Sequence, residues 1–369
     1  MISSILKNPD WIPTFFSLPA LLLAISLTTS AAISRAEPVT SPKEYFSDAG
    51  QEVTEAMYPR AETARQMINA QAVAGAVNRF VHRSSLTATD YQPVVRMNRD
   101  SYYSSAVVDV SQGASITLPS VPEGKYLSMQ PITEDHRTQP MSYGGGTYEL
   151  ATHTGSHVYI IIRLDSTFSP EEVKRYQSGM YIDAVSAQPF SAEPIQRQSF
   201  MDVENRLKAK RKDLLKLFEP DEIVRGMFTA PTDASRAFYR PVLHQIASAS
   251  GWGGAQVRDN VYEFVPALAA EGCYQATFED PGNRAFWSFT VYNPLGFLFD
   301  DVAHVNSDLA TPNPDGTFTV SLGCEAGAPN QIPIINETGK FTVTIRHYQP
   351  SERVIQGYRL ARFIKKVES

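Results

Sequence analysis

The sequence predicts a mainly β protein with helical insertions (α+β): two antiparallel β-sandwich or jelly-roll-like modules joined by a helical middle segment. Two observations carry this expectation. From about residue 92 to 165, and again from Tyr262, short runs rich in β-branched and aromatic residues alternate with Pro and Gly punctuation. That rhythm suits a sandwich or barrel rather than alternating strand and helix. Between these stretches, apolar residues recur instead at three- and four-residue steps, the helical period.

The first 36 residues read as an export signal. Lys7 precedes an apolar run from Phe15 to Thr28, and Ser34-Arg35-Ala36 supplies small residues on either side of Arg35 before Glu37. A positive start, a short apolar stretch and a small-x-small exit form the signal-peptide pattern. A membrane anchor is the competing reading, but a span needs about 20 apolar residues, and this run is shorter and contains Pro19. Cleavage after Ala36 predicts a periplasmic or secreted protein with no stable membrane insertion.

Residues 37–195 are expected to form an N-terminal helix plus a β module. Residues 42–82 look helical, with Ala61, Ala64, Met67, Ile68, Ala70, Ala74, Val77 and Val81 at helical spacing. Strands follow at Ala106–Val110, Ser115–Leu118, Tyr126–Met129 and His157–Leu164, the last a β-branched run long enough for a central strand. Gly144-Gly145-Gly146 reads as a tight hairpin; it precedes a strand, so it lacks the helix-terminus geometry for phosphate.

Residues 196–260 are expected to be the helical connection. Phe200, Val203, Leu207, Leu214, Leu215 and Phe218 make an apolar stripe ended by Pro220. Short helices are expected over Asp221–Phe228 and over Thr232–Ser250, the latter closed by Gly251 as a C-terminal cap. The basic cluster Lys208–Lys212 reads as a solvated helix face. Residues 261–369 are expected to form the second β module, with strands at Tyr262–Val265, Cys273–Phe278, Phe286–Tyr292, Thr317–Leu322 and Phe341–Tyr348. Asn313-Pro314-Asp315-Gly316 is a turn in which Pro fixes φ and Gly supplies a positive φ. Arg359–Lys366 reads as a terminal strand or a short tail.

Composition narrows the function. The chain is 43% apolar and 20% charged, an ordinary globular balance. A net charge of −6 argues against nucleic acid, whose phosphates need a basic surface. Cys273 and Cys324 allow one disulfide in an oxidising compartment, with two separate buried thiols as the alternative. Neither sits in a metal-ligand or Cys-x-x-Cys spacing.

Two motifs carry a family resemblance. Asn98, Asp100, Ser101, Tyr103, Ser104, Asp109, Pro119, Gly124 and Tyr126, with Ser128–Gln130, Glu134–His136 and Tyr143–Tyr148, resemble bacterial domain of unknown function 1254. Phe286-Trp287-Ser288, Val291-Tyr292, the Asn313–Gly316 turn and Thr344–Tyr348 resemble domain of unknown function 1214. Asn330-Gln331-Ile332-Pro333 stands where that family usually has Asn-Trp-Leu-Pro, which removes an aromatic platform. The resemblance implies the two-module architecture and assigns no activity, cofactor or functional residue.

Candidate sites come from the residues themselves. Asn98, Asp100 and Tyr102 would share one face of a strand, where hydrogen bonds and a ring could hold a polar ligand; bonding to local backbone is the plainer reading. Glu134 and His136, near His153 and His157, are the nearest approach to a metal cluster, but their spacing is not diagnostic and no metal is expected. Along Phe286–Tyr292, Trp287, Phe289 and Val291 would point into a core. Arg346 and Tyr348 would share a face, able to hold an anionic or sugar-like ligand or to stack structurally. The expected function is binding of a small polar or carbohydrate-like ligand in a cleft between the modules. A hydrolase or lyase using Asp100 and His136, and an envelope scaffold without a small-molecule site, are the other readings. The oligomeric state is left open.

Overall fold

The computed structural model describes residues 37–92, 94–231 and 239–367. The expected export segment, residues 1–36, and Thr232–Phe238 of the third expected middle helix lie outside the described residues. Where 42–82 reads as helix, the chain forms a short helix α1 (Pro42–Tyr45), a strand β1 (Phe46–Gln51) and a helix α2 (Tyr58–Ala74). The strand interrupts the helical pattern because Phe46 and Gln51 bridge Ile195. A side chain on Gly50 would lie 2.6 Å from the Ile195 backbone, so the two segments meet main chain to main chain.

The first module is a two-layer sandwich. Strands β2 (Val81–Arg83), β3 (Ser101–Asp109), β5 (Leu127–Thr133), β6 (Ser142–Tyr143) and β8 (His157–Asp165) form a sheet ordered β2-β3-β8-β5-β6. Strands β4 (Ala114–Leu118), β7 (Gly146–Leu150) and β9 (Tyr181–Ala184) form its partner, ordered β7-β4-β9. Val158, Ile160, Ile162 and Leu164 point from β8 into the space between the sheets, with Val108 and Met129 beside them. Each such side chain taken fully from water contributes roughly 1.5–3 kcal/mol. Because side chains alternate along a strand, Tyr159, Ile161 and Arg163 occupy the opposite face.

The triple glycine does not close a hairpin. Tyr143 belongs to β6 and pairs with β5, whereas Gly146 opens β7 and pairs with β4. The chain therefore steps from one sheet to the other across Gly144 and Gly145. A Cβ on Gly145 would stand 2.6 Å from the Ser120 backbone, so this crossing needs glycine.

The middle segment is helical as expected: α4 (Arg197–Lys210), then a 3₁₀ turn Arg211–Asp213, α5 (Leu214–Leu217), α6 (Pro220–Gly226) and α7 (Pro241–Gly251). Pro241, with φ preset, starts α7. The helix ends when Trp252 turns extended, so Gly251 is its last residue rather than its cap. Helices α2, α4 and α7 share a core of Met67, Ile68, Val203, Leu207, Leu243 and Ile246. The strand face carrying Val107 and Tyr159 packs on them. In α3 (Pro170–Ser178), which lies within the first module, Ser169 and Glu172 form a reciprocal capping box.

The second module pairs a sheet ordered β10-β16-β12-β13 with one ordered β15-β14-β11-β17. The first contains β10 (Asn260–Ala269), β12 (Trp287–Tyr292), β13 (His304–Asn306) and β16 (Lys340–Tyr348). The second contains β11 (Tyr274–Phe278), β14 (Phe318–Leu322), β15 (Gln331–Ile332) and β17 (Ile364–Lys366), so the chain ends in a strand. Pairing is antiparallel except for the short β14–β15 contact. Trp287 lies in the core against Phe278, Phe289 and Phe318. Cys273 and Cys324 are bonded, with Cα atoms 4.4 Å apart. Gly316 adopts φ +84° in the Asn313–Gly316 turn. Both modules and the helices belong to a single unit, residues 36–369.

Candidate functional site

Each module turns one sheet face away from its own core, and the two faces meet around a cavity. The empty volume is about 1080 Å³ and opens to solvent. On the first module, Tyr103 and Ser105 of β3 lie in register with Arg163 and Ile161 of β8. On the second, Tyr262 and Phe264 of β10 lie opposite Arg346 and Thr344 of β16. Trp252, Gly253 and Gly254, just after α7, close one end together with Phe228. Asn98, which is buried, lines the cavity from the loop that leads into β3.

Five arginines line this cavity, Arg83, Arg96, Arg163, Arg211 and Arg346, and no carboxylate does among the described residues. Arg163 is buried, its Nη1 donating to Gln130 Oε1 at 2.7 Å and its Nη2 to the Gly253 carbonyl at 3.4 Å. Arg346 is buried too, donating to Thr290 Oγ1, Tyr292 Oη and the Arg96 carbonyl at 2.7–3.0 Å. Arg96 donates to Thr344 Oγ1 at 2.9 Å. Arg211 stands 4.2 Å from the centre of the Phe264 ring. Burial pushes the Arg211 guanidinium down to about 9, and the neighbouring cation of Arg96 adds to that shift. Arg211 thus keeps its charge at neutral pH, at the cost of standing half-buried beside another cation.

The expected site residues fall into three places. Asn98, Asp100, Arg346 and Tyr348 come together at the module boundary. Asn98 Nδ2 donates to Tyr348 Oη at 2.8 Å, and Tyr348 Oη donates to Asp100 Oδ2 at 3.0 Å. Ser288 Oγ donates to the same carboxylate oxygen at 2.7 Å. Asp100 is wholly buried behind Asn98, and only Asn98 and Arg346 of this group reach the cavity.

Tyr102 does not join them. Strand β3 begins at Ser101, so Asn98 and Asp100 precede it and do not share its alternation. Tyr102 faces the sandwich core, its hydroxyl towards the Phe168 carbonyl, and Tyr103 faces the cavity.

Glu134 and His136 stand elsewhere. Glu134 Oε1 accepts the backbone N–H groups of Ser156 and His157, and Oε2 faces Arg60 at 3.3 Å. His136 takes φ +62°. Its Nε2 accepts from the Gly253 N–H at 3.1 Å, so Nδ1 carries the proton towards Ser248 Oγ at 2.9 Å. Its ring stacks on Trp252 at 5.7 Å. His136 therefore positions the Trp252–Gly253 end of the cavity without lining it. His153 pairs with Asp135, and His157 with the Gln188 carbonyl. Among the described residues no three His, Cys, Asp or Glu side chains gather as a metal site.

Sequence reasoning missed most of the cavity's cations. Arg163 gave one signal, a charge in phase with Tyr159 and Ile161 on an otherwise apolar strand. Arg211 was hidden in the basic cluster Lys208–Lys212. Within that cluster Lys208 and Lys210 do meet solvent-side partners, Glu204 and Glu55, whereas Arg211 turns to the cavity.

Residues 77–186 match the family described as Protein of unknown function (DUF1254), and residues 266–352 match Protein of unknown function (DUF1214). No curated protein matches the chain. Among solved structures, the VPA0106 protein from Vibrio parahaemolyticus is 16% identical, covers 85% of this chain and 98% of its own, and has a TM-score of 0.60. That likeness shows a shared fold. An uncharacterized protein from Burkholderia cenocepacia is 14% identical over 81% of this chain and 86% of its own, with a TM-score of 0.47. Arg83, Tyr103 and Arg163 fall in the first matched segment and Thr344 and Arg346 in the second, so the cavity draws on both. The chain is thus a protein in which a DUF1254 module is followed by a DUF1214 module, as its motifs indicated.

Proposed function

We propose that this protein is exported and binds a small organic anion in the cleft between its two modules. The observation that carries the reading is the lining by five arginines and no carboxylate among the described residues. A polar or carbohydrate-like ligand was the broader expectation. Sugar sites present acceptors as well as donors, because hydroxyls both give and take hydrogen bonds. Guanidinium groups only donate, and they match carboxylate and phosphate oxygens. The aromatic walls, Tyr103, Tyr262, Phe264, Phe228 and Trp252, suit an apolar body attached to the charge. Export is supported by residues 1–36 and by the disulfide.

Thermal unfolding of the chain from Glu37 onward, screened with carboxylates, phosphate esters and neutral sugars, tests this. A ligand present at 100 times its Kd stabilises by about 2.7 kcal/mol, a shift of several degrees. Organic anions should raise Tm and neutral sugars should not. Ser105→Trp, which fills the cavity, should abolish the rise. Stabilisation by neutral sugars alone, or an anion effect that survives Ser105→Trp, would overturn the reading.

A further inference from the structure

The five arginines are not equivalent. Arg163 and Arg346 spend both terminal nitrogens on protein acceptors. Arg83 stacks on Tyr91, a residue outside the cavity lining. Arg96 and Arg211 differ, Arg96 giving only one terminal nitrogen to the protein, Nη1 to Thr344 Oγ1. They reach the cavity from separate segments, the loop before β3 and the turn after α4, and both face the ring of Phe264, at 5.4 and 4.2 Å. Among the described residues no carboxylate pairs with either.

Two half-buried cations over one ring repel each other. The aromatic face offsets part of that cost, and an anion held between them would remove the rest. A guanidinium presents its N–H groups as a planar fork, so two forks can share the oxygens of one oxyanion. Beside this pair, the Phe264 and Tyr262 rings lie almost parallel, 9° apart with centroids 6.5 Å apart, an aromatic pair that an apolar ligand body can lie against. Phe228 stands beside it at an angle, 5.9 Å from Tyr262 and tilted 57° to that ring.

We infer that Arg96 and Arg211 form a clamp that reads an oxyanion group (carboxylate, phosphate or sulfonate) on a ligand whose flat apolar body lies along Tyr262 and Phe264. This deepens, and rests on, the reading of the cleft as an organic-anion site. Arg163 and Arg346 then shape the cavity and set its field, and the clamp sets the charge of what is accepted.

Two fluorescent probes separate charge from body: 1-anilinonaphthalene-8-sulfonate, and N-phenyl-1-naphthylamine, which is the same ring system without the sulfonate. The chain from Glu37 onward should bind the sulfonate at least tenfold more tightly. Arg96→Gln and Arg211→Gln should each weaken the sulfonate about tenfold and leave the neutral probe within twofold. Competition by benzoate, phenyl phosphate and benzenesulfonate ranks the three oxyanions. Arg211→Gln should leave the ligand-free Tm unchanged or higher, since it removes a repelling charge. If it lowers that Tm and weakens both probes together, the residue is structural and the clamp is wrong. If Arg96→Gln/Arg211→Gln keeps full sulfonate affinity while Ser105→Trp removes it, the cleft binds but the clamp does not read the charge. If Ser105→Trp changes neither probe, the cleft reading fails and the clamp fails with it.

Discussion

Asp100 and Tyr348 stand 248 positions apart, yet the Tyr348 hydroxyl donates to Asp100 Oδ2 at 3.0 Å inside the boundary between the modules. One belongs to the loop that leads into β3 and the other ends β16. The same hydroxyl accepts from Asn98 Nδ2, and the same carboxylate oxygen accepts from Ser288 Oγ. A single phenol thus ties the first module's loop to the second module's sheet directly behind the cavity. Phe286, at 4.2 Å, and Tyr126, at 5.5 Å, pack against its ring.

Removing that hydroxyl should loosen the seam rather than the sheets. Tyr348→Phe keeps the ring contacts but leaves Asn98 Nδ2 without its acceptor and Asp100 with one donor fewer. A buried polar group left unsatisfied costs about 1–3 kcal/mol. Urea unfolding should show a loss of that size with an unchanged m value. A loss below about 0.5 kcal/mol would mean that the bond adds nothing beyond an exposed contact.

The disulfide offers a second check, linked to compartment. The bond between Cys273 and Cys324 closes a loop with a sequence separation of 51. Loop-closure entropy assigns such a bridge about 4 kcal/mol, acting mainly on the unfolded chain. Cys273→Ala/Cys324→Ala should therefore lower unfolding free energy by about 2–4 kcal/mol, as measured in urea. Protein recovered from the periplasm of a Gram-negative host should begin at Glu37 and contain no free thiol. A reduced pair in that fraction, or an intact Met1, would contradict export with cleavage at Ala36.

What the sequence made legible was periodicity, and what it hid was pairing. Alternation along Phe286–Tyr292 was enough to put Trp287, Phe289 and Val291 in a core, because one face of that strand is wholly apolar. The same logic misplaced Tyr102, because it assumed a strand from Asn98 when β3 starts at Ser101. Alternation holds only within the strand, so it says nothing of where Asn98 and Asp100 point. Arg346 and Tyr348 could be put on one face from their spacing. Their partners, Asp100 and Asn98, are chosen by the docking of two modules, which no local window contains. Arg211 shows a further limit: helical periodicity gives the face a residue occupies, not whether another element stands over that face.

Acidity should act through the paired imidazoles that hold the end of the cavity. The His136 and His244 rings lie 5.5 Å apart, both buried, with Trp252 stacked on His136. Burial lowers both; His136 is lowered further by His244 and Arg137. Facing them are the cation of Arg137 and Asp135, whose backbone carbonyl accepts from His244 Nε2 at 2.9 Å and whose carboxylate pairs with His153. His244 is lowered to about 4 in the folded protein, against 6.5 when unfolded. Between those values the unfolded chain binds the extra proton, so stability is complete above pH 6.5 and falls as pH drops towards 4. At roughly 1.4 kcal/mol per unit, His244 alone accounts for about 3 kcal/mol. Asp308 acts in the opposite sense: burial and the nearby Asp165 raise it to about 6, so its contribution is present at lower pH and lost as pH rises through that value. Comparing variants separates the two. His244→Gln keeps a donor for the Asp135 carbonyl but cannot titrate, so its urea stability should fall by about 3 kcal/mol less than wild type between pH 7 and pH 4. Parallel pH profiles for the two proteins would remove His244 as the acid-sensitive element and leave His136 and the carboxylates to account for the slope.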